Sequence, residues 1–300
     1  MAYKGNMRCD LHVHSWHSGM CEVPLVRAVC RECYNDPLAL YGHLKQLGMD
    51  LVTITDHDSI GAAEALRSRP DFFLSEEVSC TLPSGAALHV GVYDITERDH
   101  IEMQRRRDDF ESFAAYLNER GLFFSANHVF SGLTGRRSAA DFDLFESAFP
   151  AIETRNGHML PLANQAASAL AEFAAKPEVG GSDAHAMASL GCAYTEVAGA
   201  RSRQEFLDGL WLGQGRVIGE SGGYWRVTRD VYAIACNMVR ERPLSSALAP
   251  LFLAVPLVTL GNLLRETVFA QTWSARYLHS VRLRRAAETA EVETGAEEAA

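Results

Sequence analysis

The sequence predicts an α/β fold, with a parallel, barrel-like domain followed by a C-terminal helical extension. Strand and helix patterns alternate about seven times in roughly the first 220 residues, as in parallel sheets whose strands are joined by helices. Residues able to ligate metals follow several of these strands, at the end where α/β folds place their chemistry. Beyond residue 223 the pattern becomes entirely helical.

The individual elements can be assigned in order along the chain. Asp36 and Pro37 predict the start of the first helix, and Gly48 predicts its end. A long helix is predicted over residues 99–120, a further one from about residue 160 to 175, and Ser202 with Glu205 fits the capping box of another. The predicted strands are residues 9–14, 50–55, 71–75, 88–93, 122–126, 151–154, 178–181 and 194–197.

Composition narrows the class of protein. With 300 residues, of which 47% are hydrophobic, the chain can bury a sizeable core. A formal net charge of −10 disfavours non-specific binding of a nucleic acid polymer. The seven cysteines, an odd number at irregular positions, favour reduced thiols, and residues 1–8 lack an apolar signal segment. We therefore expect a cytoplasmic protein.

Metal-ligand residue types recur at the predicted strand ends. His12 and His14 alternate along the first strand, so their imidazoles share one face. The later strands supply His57, Glu77, His89, His128, Asp183 and His185. Imidazoles with bridging carboxylates suit Zn²⁺, Mn²⁺ or Fe²⁺, and so many ligands imply two or three divalent ions. His43, His100, His158 and His279 lie on predicted helices or loops and are expected to be ordinary solvated side chains.

Five segments together resemble the PHP (polymerase and histidinol phosphatase) superfamily. The resemblance extends over about residues 7–220, with the motifs in the superfamily's order. The segments are Asp-Leu-His-Val-His at 10–14, Thr-Asp-His-Asp at 55–58, Glu-Val-Ser at 77–79, Asn-His at 127–128 and Gly-Ser-Asp-Ala-His at 181–185. The resemblance implies a distorted (β/α)7 TIM-like barrel with a trinuclear metal centre at the carboxyl ends of its strands.

The resemblance also implies which residues hold each ion. The first ion would be held by His12, His14, Glu77 and Asp183, and the second by Glu77, His89 and His128, so that Glu77 is the bridge. The third would be held by His57 and His185, with an aspartate that many relatives carry at the position of Gly19. The sequence leaves open whether His17, Cys21 or Glu22 substitutes, or whether the third site is weak or empty.

The leading functional hypothesis is a metal-dependent phosphoesterase acting on a small phosphorylated metabolite or nucleotide through a metal-activated hydroxide. Glu77, Asp183 and His185 are assigned to catalysis. Arg155 and Asn156, at a strand end, are candidates for contacting substrate, although a turn that closes the strand explains them equally well. Asp10 and Asp58 are expected to orient imidazoles. The alternatives are an amidohydrolase-like enzyme that hydrolyses C–N or C–O bonds, and a non-catalytic, metal-stabilised barrel that binds a membrane or a partner.

The sequence predicts three regions along the chain: a barrel over 1–223, a helical extension over 224–285 and a disordered acidic tail over 286–300. Residues 244–264 contain no charged residue and are long enough to span a membrane. Pro250, Pro256 and Gly261 interrupt this apolar segment. Membrane attachment, a packed helical hairpin and a contact between copies of the chain therefore all remain open.

Overall fold

The structure is a computed structural model that describes residues 5–21, 23–24 and 26–298, with side chains described to residue 286. Within this part of the chain, the strands are β1 Asn6–Cys9, β2 Ser75–Thr81, β3 Ala87–Tyr93, β4 Phe123–Ala126, β5 Ala151–Asn156, β6 Glu178–Gly181, β7 Ala193–Ala198 and β8 Gly215–Gly219. The α-helices are α1 Pro37–Gln46, α2 Ala63–Leu66, α3 Glu97–Arg106, α4 Phe110–Arg120, α5 Ala139–Ala148, α6 Pro161–Phe173, α7 Arg203–Trp211, α8 Tyr224–Glu241 and α9 Val255–Glu298.

The strands form two sheets. One has five strands in the order β2-β3-β4-β5-β6, and the other has the order β1-β7-β8. Only β4–β5 and β5–β6 pair in parallel, whereas β2–β3, β3–β4 and both pairs of the smaller sheet are antiparallel. The prediction of an all-parallel sheet is therefore wrong. The connection between β2 and β3 is too short for a parallel crossover and makes a hairpin instead. The mixed α/β class is confirmed.

Isolated bridges extend the two sheets toward each other. Val13 bridges to Ala184, Val52 to Phe72 and His57 to Glu77, all in parallel. The amide of Thr55 also donates to the carbonyl of Val13 at 2.9 Å. The predicted strand over 50–55 is thus extended chain that pairs only at isolated points. These contacts bring residues 12–14, 57, 77 and 183 to one end of the sheets.

Several helix boundaries follow the local sequence signals. The Asp36 side chain caps α1 by accepting from the amide of Ala39 at 2.8 Å, which confirms the predicted start of this helix. The helix predicted over 99–120 is instead two helices, because Asp109 caps a new helix and interrupts the first. Ser202 caps α7 by accepting from the amide of Glu205.

The position of β2 differs from the prediction in a way that matters for the site. The sequence predicts a strand over 71–75 that ends before the two glutamates, but β2 runs from Ser75 to Thr81 and contains them. Because side chains alternate along a strand, Glu76 and Glu77 point to opposite faces. Both carboxylates are fully buried. Glu77 therefore faces the middle of the fold.

The C-terminal helices pack against the α/β part. Ala270, Tyr277 and Val281 of α9 belong to the same buried hydrophobic cluster as side chains from β2 to β5. The backbone of α9 runs through residues 286–298, most of the segment predicted to be a disordered tail. Alanine and glutamate, which are frequent there, are strong helix formers, and this explains the difference. Side chains from residue 287 lie outside the described part.

One helical segment, Pro243–Ala286, is long and apolar enough to cross a membrane. Its first part, Pro243–Ala254, is a 3₁₀ helix that contains Pro250, and its second part belongs to α9. Only 11% of its most apolar 18-residue window is buried. Its outer face is therefore largely uncovered.

Candidate metal centre

Glu77 lies at the centre of a cluster of imidazoles. One oxygen of its buried carboxylate, Oε2, lies 3.1 Å from His12 Nε2 and 3.2 Å from His57 Nδ1. The other, Oε1, lies 3.2 Å from His128 Nε2 and 3.6 Å from His89 Nδ1. Oε2 also lies 3.5 Å from His14 Nε2, so one oxygen faces three imidazoles and the other faces two. This is the arrangement expected of a carboxylate that bridges two metal positions.

Asp183 joins the cluster from the opposite side. Its Oδ1 atom lies 3.2 Å from His14 Nε2, 3.5 Å from His12 Nε2 and 3.6 Å from His185 Nδ1. Its backbone has a φ of 52°, and that of His128 has a φ of 32°. Non-glycine residues adopt such conformations at a cost, and they concentrate at functional sites. The backbone strain here falls on two of the predicted ligands.

All eight predicted metal ligands lie together. Four sets of three among them have their ligating atoms within 4.8 Å of one another: His14, His57 and His185; His12, His128 and Asp183; His12, His14 and Glu77; and His57, Glu77 and His89. The residues come from the segment after β1, from the ends of several strands and from the interior of β2 and β3. A single cluster therefore draws on most of the length of the α/β part.

The cluster has the chemistry of a metal site. Each of its six histidines has one ring nitrogen that is buried without a hydrogen-bond partner: His12 Nε2, His14 Nε2, His57 Nδ1, His89 Nδ1, His128 Nδ1 and His185 Nε2. Glu77 Oε2 is likewise buried without a hydrogen-bond partner. Unpartnered buried polar atoms are costly and rare in folded proteins. Zn²⁺ with ligands at about 2.05 Å in a tetrahedron separates them by roughly 3.3 Å, close to the distances within this cluster. The residues present therefore fit divalent ions.

The imidazoles of the cluster differ in protonation. Against the effect of burial, nearby carboxylates raise the pKa of His12, His128 and His185, the last to about 9. Burial lowers the pKa of His14 to about 3, aided by the neighbouring His185 and His57, and burial lowers the pKa of His89 to about 3. These imidazoles are neutral at pH 7, which is the form that binds metals. Burial alone would raise the pKa of Glu77, but the surrounding histidines hold it well below its usual range. The carboxylate is therefore ionised.

Glu153, which no sequence motif indicated, orients two of the ligands. Its Oε1 lies 2.7 Å from His12 Nδ1, and its Oε2 accepts from the backbone amide of His128 at 3.0 Å. A carboxylate on Nδ1 fixes the tautomer that turns Nε2 toward the metal position. The signal available in the sequence was a single glutamate inside the otherwise uncharged start of β5.

Asp56 plays the corresponding part for His14, through a hydroxyl group. Ser18 Oγ lies 3.1 Å from His14 Nδ1 and donates to Asp56 at 2.7 Å. The same carboxylate accepts from the hydroxyl and the amide of Ser15, both at 2.6 Å. The imidazole of His14 is thus held in place from behind by a buried carboxylate and hydroxyl.

The two aspartates predicted to orient imidazoles have different partners. Asp10 accepts from the amides of Ser182 at 2.8 Å and Gly191 at 2.9 Å, and burial raises its pKa to about 6. Asp58 accepts from the amide of Ser79 at 3.0 Å and forms an ion pair with Arg107 at 2.6 Å. Asp10 therefore ties strand ends together, and Asp58 faces away from the cluster. Sequence position alone could not separate these roles.

Asn156 and Arg155 point to opposite sides of β5. Asn156 Nδ2 donates to Asp183 Oδ2 and to Glu153 Oε2, each at 3.0 Å, so this side chain supports the cluster. Arg155 donates to the hydroxyl of Ser221 at 3.3 Å, and the structure does not bring it into the cluster. The substrate contacts assigned to both residues stay predictions.

Glu32 also faces the cluster, although no motif pointed to it. Its Oε1 lies 3.6 Å from both His57 Nε2 and His185 Nε2. Burial acts to raise the pKa of Glu32, but the neighbouring imidazoles of His185 and His57 lower it to about 2. Of the substitutes named for position 19, His17 packs against Gly61, and Glu22 lies outside the described residues.

Two histidines expected to be solvated are engaged. His100 Nδ1 lies 2.7 Å from Glu76 Oε2, on the far face of β2. The ring of His158 lies edge-on to that of His185, with 6.0 Å between the centroids. His158 therefore borders the cluster, which its position after β5 did not reveal.

Comparison with known proteins gives one family match and several structural likenesses. Residues 161–214 match the PHP_C family, described as PHP-associated. No curated protein matches the chain. PsfC from Pseudomonas syringae is 18% identical, with a TM-score of 0.54 over 78% of this chain and 98% of that one. This likeness supports the mixed α/β fold.

Two further solved structures are more distant. A Bifidobacterium adolescentis protein assigned as a metal-dependent phosphoesterase is 13% identical, with a TM-score of 0.40 over 60% of this chain and 88% of that one. The lesion-specific endonuclease PfuEndoQ from Pyrococcus furiosus is 17% identical, with a TM-score of 0.49 over 71% of this chain and 57% of that one.

The family match covers α6 to the start of β8 and includes Asp183 and His185. The other motifs of the resemblance lie outside this range, and their ligands meet Asp183 and His185 in the cluster. The PHP_C match thus includes two of the eight residues of the cluster, and the other six come from outside it.

Proposed function

We propose that this protein is a metal-dependent phosphoesterase that hydrolyses a small phosphorylated metabolite or nucleotide. The observation that supports it most is the convergence of six imidazoles on the buried carboxylates of Glu77 and Asp183, with imidazole nitrogens that have no protein partner. Such a ligand set suits Zn²⁺, Mn²⁺ or Fe²⁺ in two or three neighbouring positions. A cytoplasmic location stays a prediction, and all seven cysteines are free thiols.

The same proposal includes the finer fold. We infer that the two sheets and the extended segments between them form a distorted (β/α)7 barrel. The bridges of Val13 with Ala184, Val52 with Phe72 and His57 with Glu77 support this, because they follow the order in which strands would pair around such a barrel. The metal ligands then lie at one mouth of the barrel, where this architecture places active sites.

Divalent ions bound here supply an activated water and neutralise phosphate oxygens. The protein's part is to hold the reacting groups in place. Glu77 spans both halves of the cluster, and Asp183 and His185 complete its other side, which is the basis for assigning these three residues to catalysis. His57, His89 and His185 are the partly exposed imidazoles, so we expect the ester to approach from their side.

The test combines elemental analysis with a substrate panel on the purified full-length protein. We expect bound Zn, Mn or Fe, and release of phosphate from phosphomonoesters or cyclic nucleotides that these ions stimulate. Asp183→Asn should abolish turnover, because it removes charge from a ligand whose oxygen faces three imidazoles. Asp143→Asn, an exposed carboxylate on α5, is the matched control and should leave turnover unchanged.

Two outcomes would contradict the proposal. Turnover of amides or lactones, with none of phosphate esters, would identify an amidohydrolase-like enzyme, since activated water does not by itself specify phosphorus. Bound metal without any turnover, together with a loss of thermal stability but of nothing else in His128→Ala, would identify a barrel whose ions are structural.

A further inference from the structure

Position 19 cannot supply the aspartate that the resemblance leads one to expect there. Gly19 has a φ of 89° and a ψ of −151°, a region of backbone space that essentially only glycine occupies. A residue with a side chain would have to change the path of the chain just after the 3₁₀ helix Trp16–Ser18. The missing carboxylate is thus tied to a specific local backbone conformation.

The same backbone brings another carboxylate to this point. Met20 and Arg31 form an antiparallel bridge, and the amide of Cys21 donates to the carbonyl of Cys30 at 3.1 Å. Continuing this register, the amide of Glu32 donates to the carbonyl of Gly19 at 3.1 Å. The chain therefore leaves the cluster at Gly19 and returns to it at Glu32.

The Glu32 side chain then lies beside two imidazoles of the cluster. Its Oε1 is equidistant, at 3.6 Å, from His57 Nε2 and His185 Nε2. That separation is longer than a good hydrogen bond, but it is close to the distance of roughly 3.3 Å between ligands on one tetrahedral ion. His185 Nε2 is buried and has no hydrogen-bond partner.

We propose that Glu32 provides the carboxylate of the third metal position, beside His57 and His185, in place of a residue at position 19. The proposal rests on the metal centre of the proposed function, and it adds a ligand from a part of the chain outside the motifs. The side chain of Glu32 is 32% exposed, so this position lies at the solvent side of the cluster. We expect its ion to exchange more readily than those held by Glu77.

The experiment measures metal content in the full-length protein. Wild type, Glu32→Gln and Glu241→Gln are each loaded with Zn²⁺ or Mn²⁺, separated from unbound metal by rapid gel filtration and examined by elemental analysis. Glu241, the last residue of α8, is the matched control. Its carboxylate pairs at 2.8 Å with Arg31, the residue before Glu32, and does not face the cluster. Far-ultraviolet circular dichroism checks that all three proteins are folded, and Glu32→Asp provides a second variant with a shorter side chain.

We expect Glu32→Gln to hold one ion fewer per chain than wild type, Glu32→Asp to hold that ion more weakly, and Glu241→Gln to match wild type. Equal metal content in Glu32→Gln and wild type overturns the assignment, and so does an equal loss in Glu241→Gln. Loss of one ion in Glu32→Gln, with no phosphate ester hydrolysed by wild type, supports Glu32 as a ligand and rejects the proposed function. Wild type without bound metal rejects both.

Discussion

Glu77 can face five imidazoles because its neighbours in β2 direct their side chains elsewhere. The strand is buried on both faces, and alternation directs Glu76 away from the cluster toward α3. There Glu76 accepts from Gln104, and its Oε2 lies 2.7 Å from His100 Nδ1. A second buried carboxylate is thus kept away from the metal ligands by its own histidine.

This pairing predicts a pH-dependent contribution to stability. The hydrogen bond with Glu76 raises the pKa of His100 above its ordinary value of 6.5. A raised folded-state pKa means that the contribution is fully present below the ordinary pKa and is lost as pH rises through the raised one. The free energy of unfolding lost in His100→Gln should therefore be largest near about pH 6 and smaller near about pH 9.

Urea unfolding of wild type and His100→Gln at several pH values measures this difference. His43→Gln is the control, since His43 lies partly exposed in the last turn of α1. A difference between wild type and His100→Gln that grows with pH would contradict the assigned charge on His100.

A second residue-scale prediction concerns Gly19. Placing at position 19 the aspartate that the resemblance implies, by Gly19→Asp, should destabilise the protein by about 1–3 kcal/mol, the usual cost of a side chain in a backbone conformation suited only to glycine. Gly223→Asp is the matched control, because Gly223 has an extended backbone with a φ of −169° and precedes α8 as its N-cap. Aspartate is a favoured N-cap residue, so the control should be neutral or stabilising.

Denaturant midpoints of the two variants give the answer. Equal stability of Gly19→Asp and wild type would show that the chain can carry an aspartate at position 19 after all. It would also remove the backbone argument for Glu32.

At the residue scale, the sequence identified ligands better than their supporting partners. His12, His14 and Asp183 could be predicted because each follows a strand and belongs to a recognisable motif. Glu153 and Glu32 could not, because a charged residue in a strand or a loop has no local signal for the imidazole it meets. Their roles depend on pairings between segments distant in the sequence, which only the folded chain establishes.

At the scale of elements, α9 supports the turn that carries one of the ligands. Glu266 Oε2 accepts from the hydroxyl of Ser131 and from the amide of Gly132, both at 2.8 Å. The amide of Ser131 in turn donates to the carbonyl of His128 at 2.9 Å. The last helix is therefore connected to the metal centre by a short chain of hydrogen bonds.

Removal of the Glu266 carboxylate should loosen this turn. In Glu266→Ala the amide of Gly132 and the hydroxyl of Ser131 lose their partner, at a cost of about 1–3 kcal/mol in the free energy of unfolding. Metal should also bind more weakly, because His128 is held less firmly. Gln271→Ala, at an exposed position on α9, is the control and should change both quantities little. Similar losses in the two variants would contradict the role of Glu266.

The elements themselves were predictable to different degrees. The start of α1 and of α7 follows from capping residues, which act over one turn of helix. Strand pairing could not be predicted, because whether neighbouring strands run parallel depends on the connection between them. In the hairpin between β2 and β3, the amide of Leu82 donates to the carbonyl of Ala86 at 2.8 Å. The sequence of this connection predicts a turn, but it does not show that the two strands pair with each other.

At the scale of the whole molecule, the C-terminal helices complete the core of the α/β part. Ala270 and Tyr277 are buried in the same cluster as Phe124, Phe130 and Phe142. From composition alone, residues 224–285 are predicted to be a separate extension. Composition does not show which face of a helix packs against the α/β part, so this packing could not be predicted. A chain ending at Gly223 should therefore expose this core and lose its cooperative unfolding transition. A sharp transition with native-like stability in the shortened chain would show that residues 1–223 fold independently.

The face of the C-terminal helices that points away from the α/β part is uncovered, and we expect it to contact a membrane. Exposed apolar side chains recur at helical spacing through the 3₁₀ helix and α9: Leu253, Leu257, Leu260, Leu264 and Val268. Residues 224–285 carry nine arginines against three acidic residues, in a chain whose net charge is −10. A basic segment with an exposed apolar face fits the surface of an anionic bilayer.

We expect the full-length protein to sediment with vesicles that contain phosphatidylglycerol, and less with vesicles of phosphatidylcholine alone. Replacing Leu253 and Leu257 by serine should reduce this association, because both side chains lie on the uncovered face. Leu212→Ser is the matched control, since Leu212 is as exposed as Leu257, at 71% against 73%, but lies at the end of α7. Equal sedimentation of all variants would contradict membrane contact through this face. Self-association without lipid, abolished by the double substitution, would assign the face to a second copy of the chain instead.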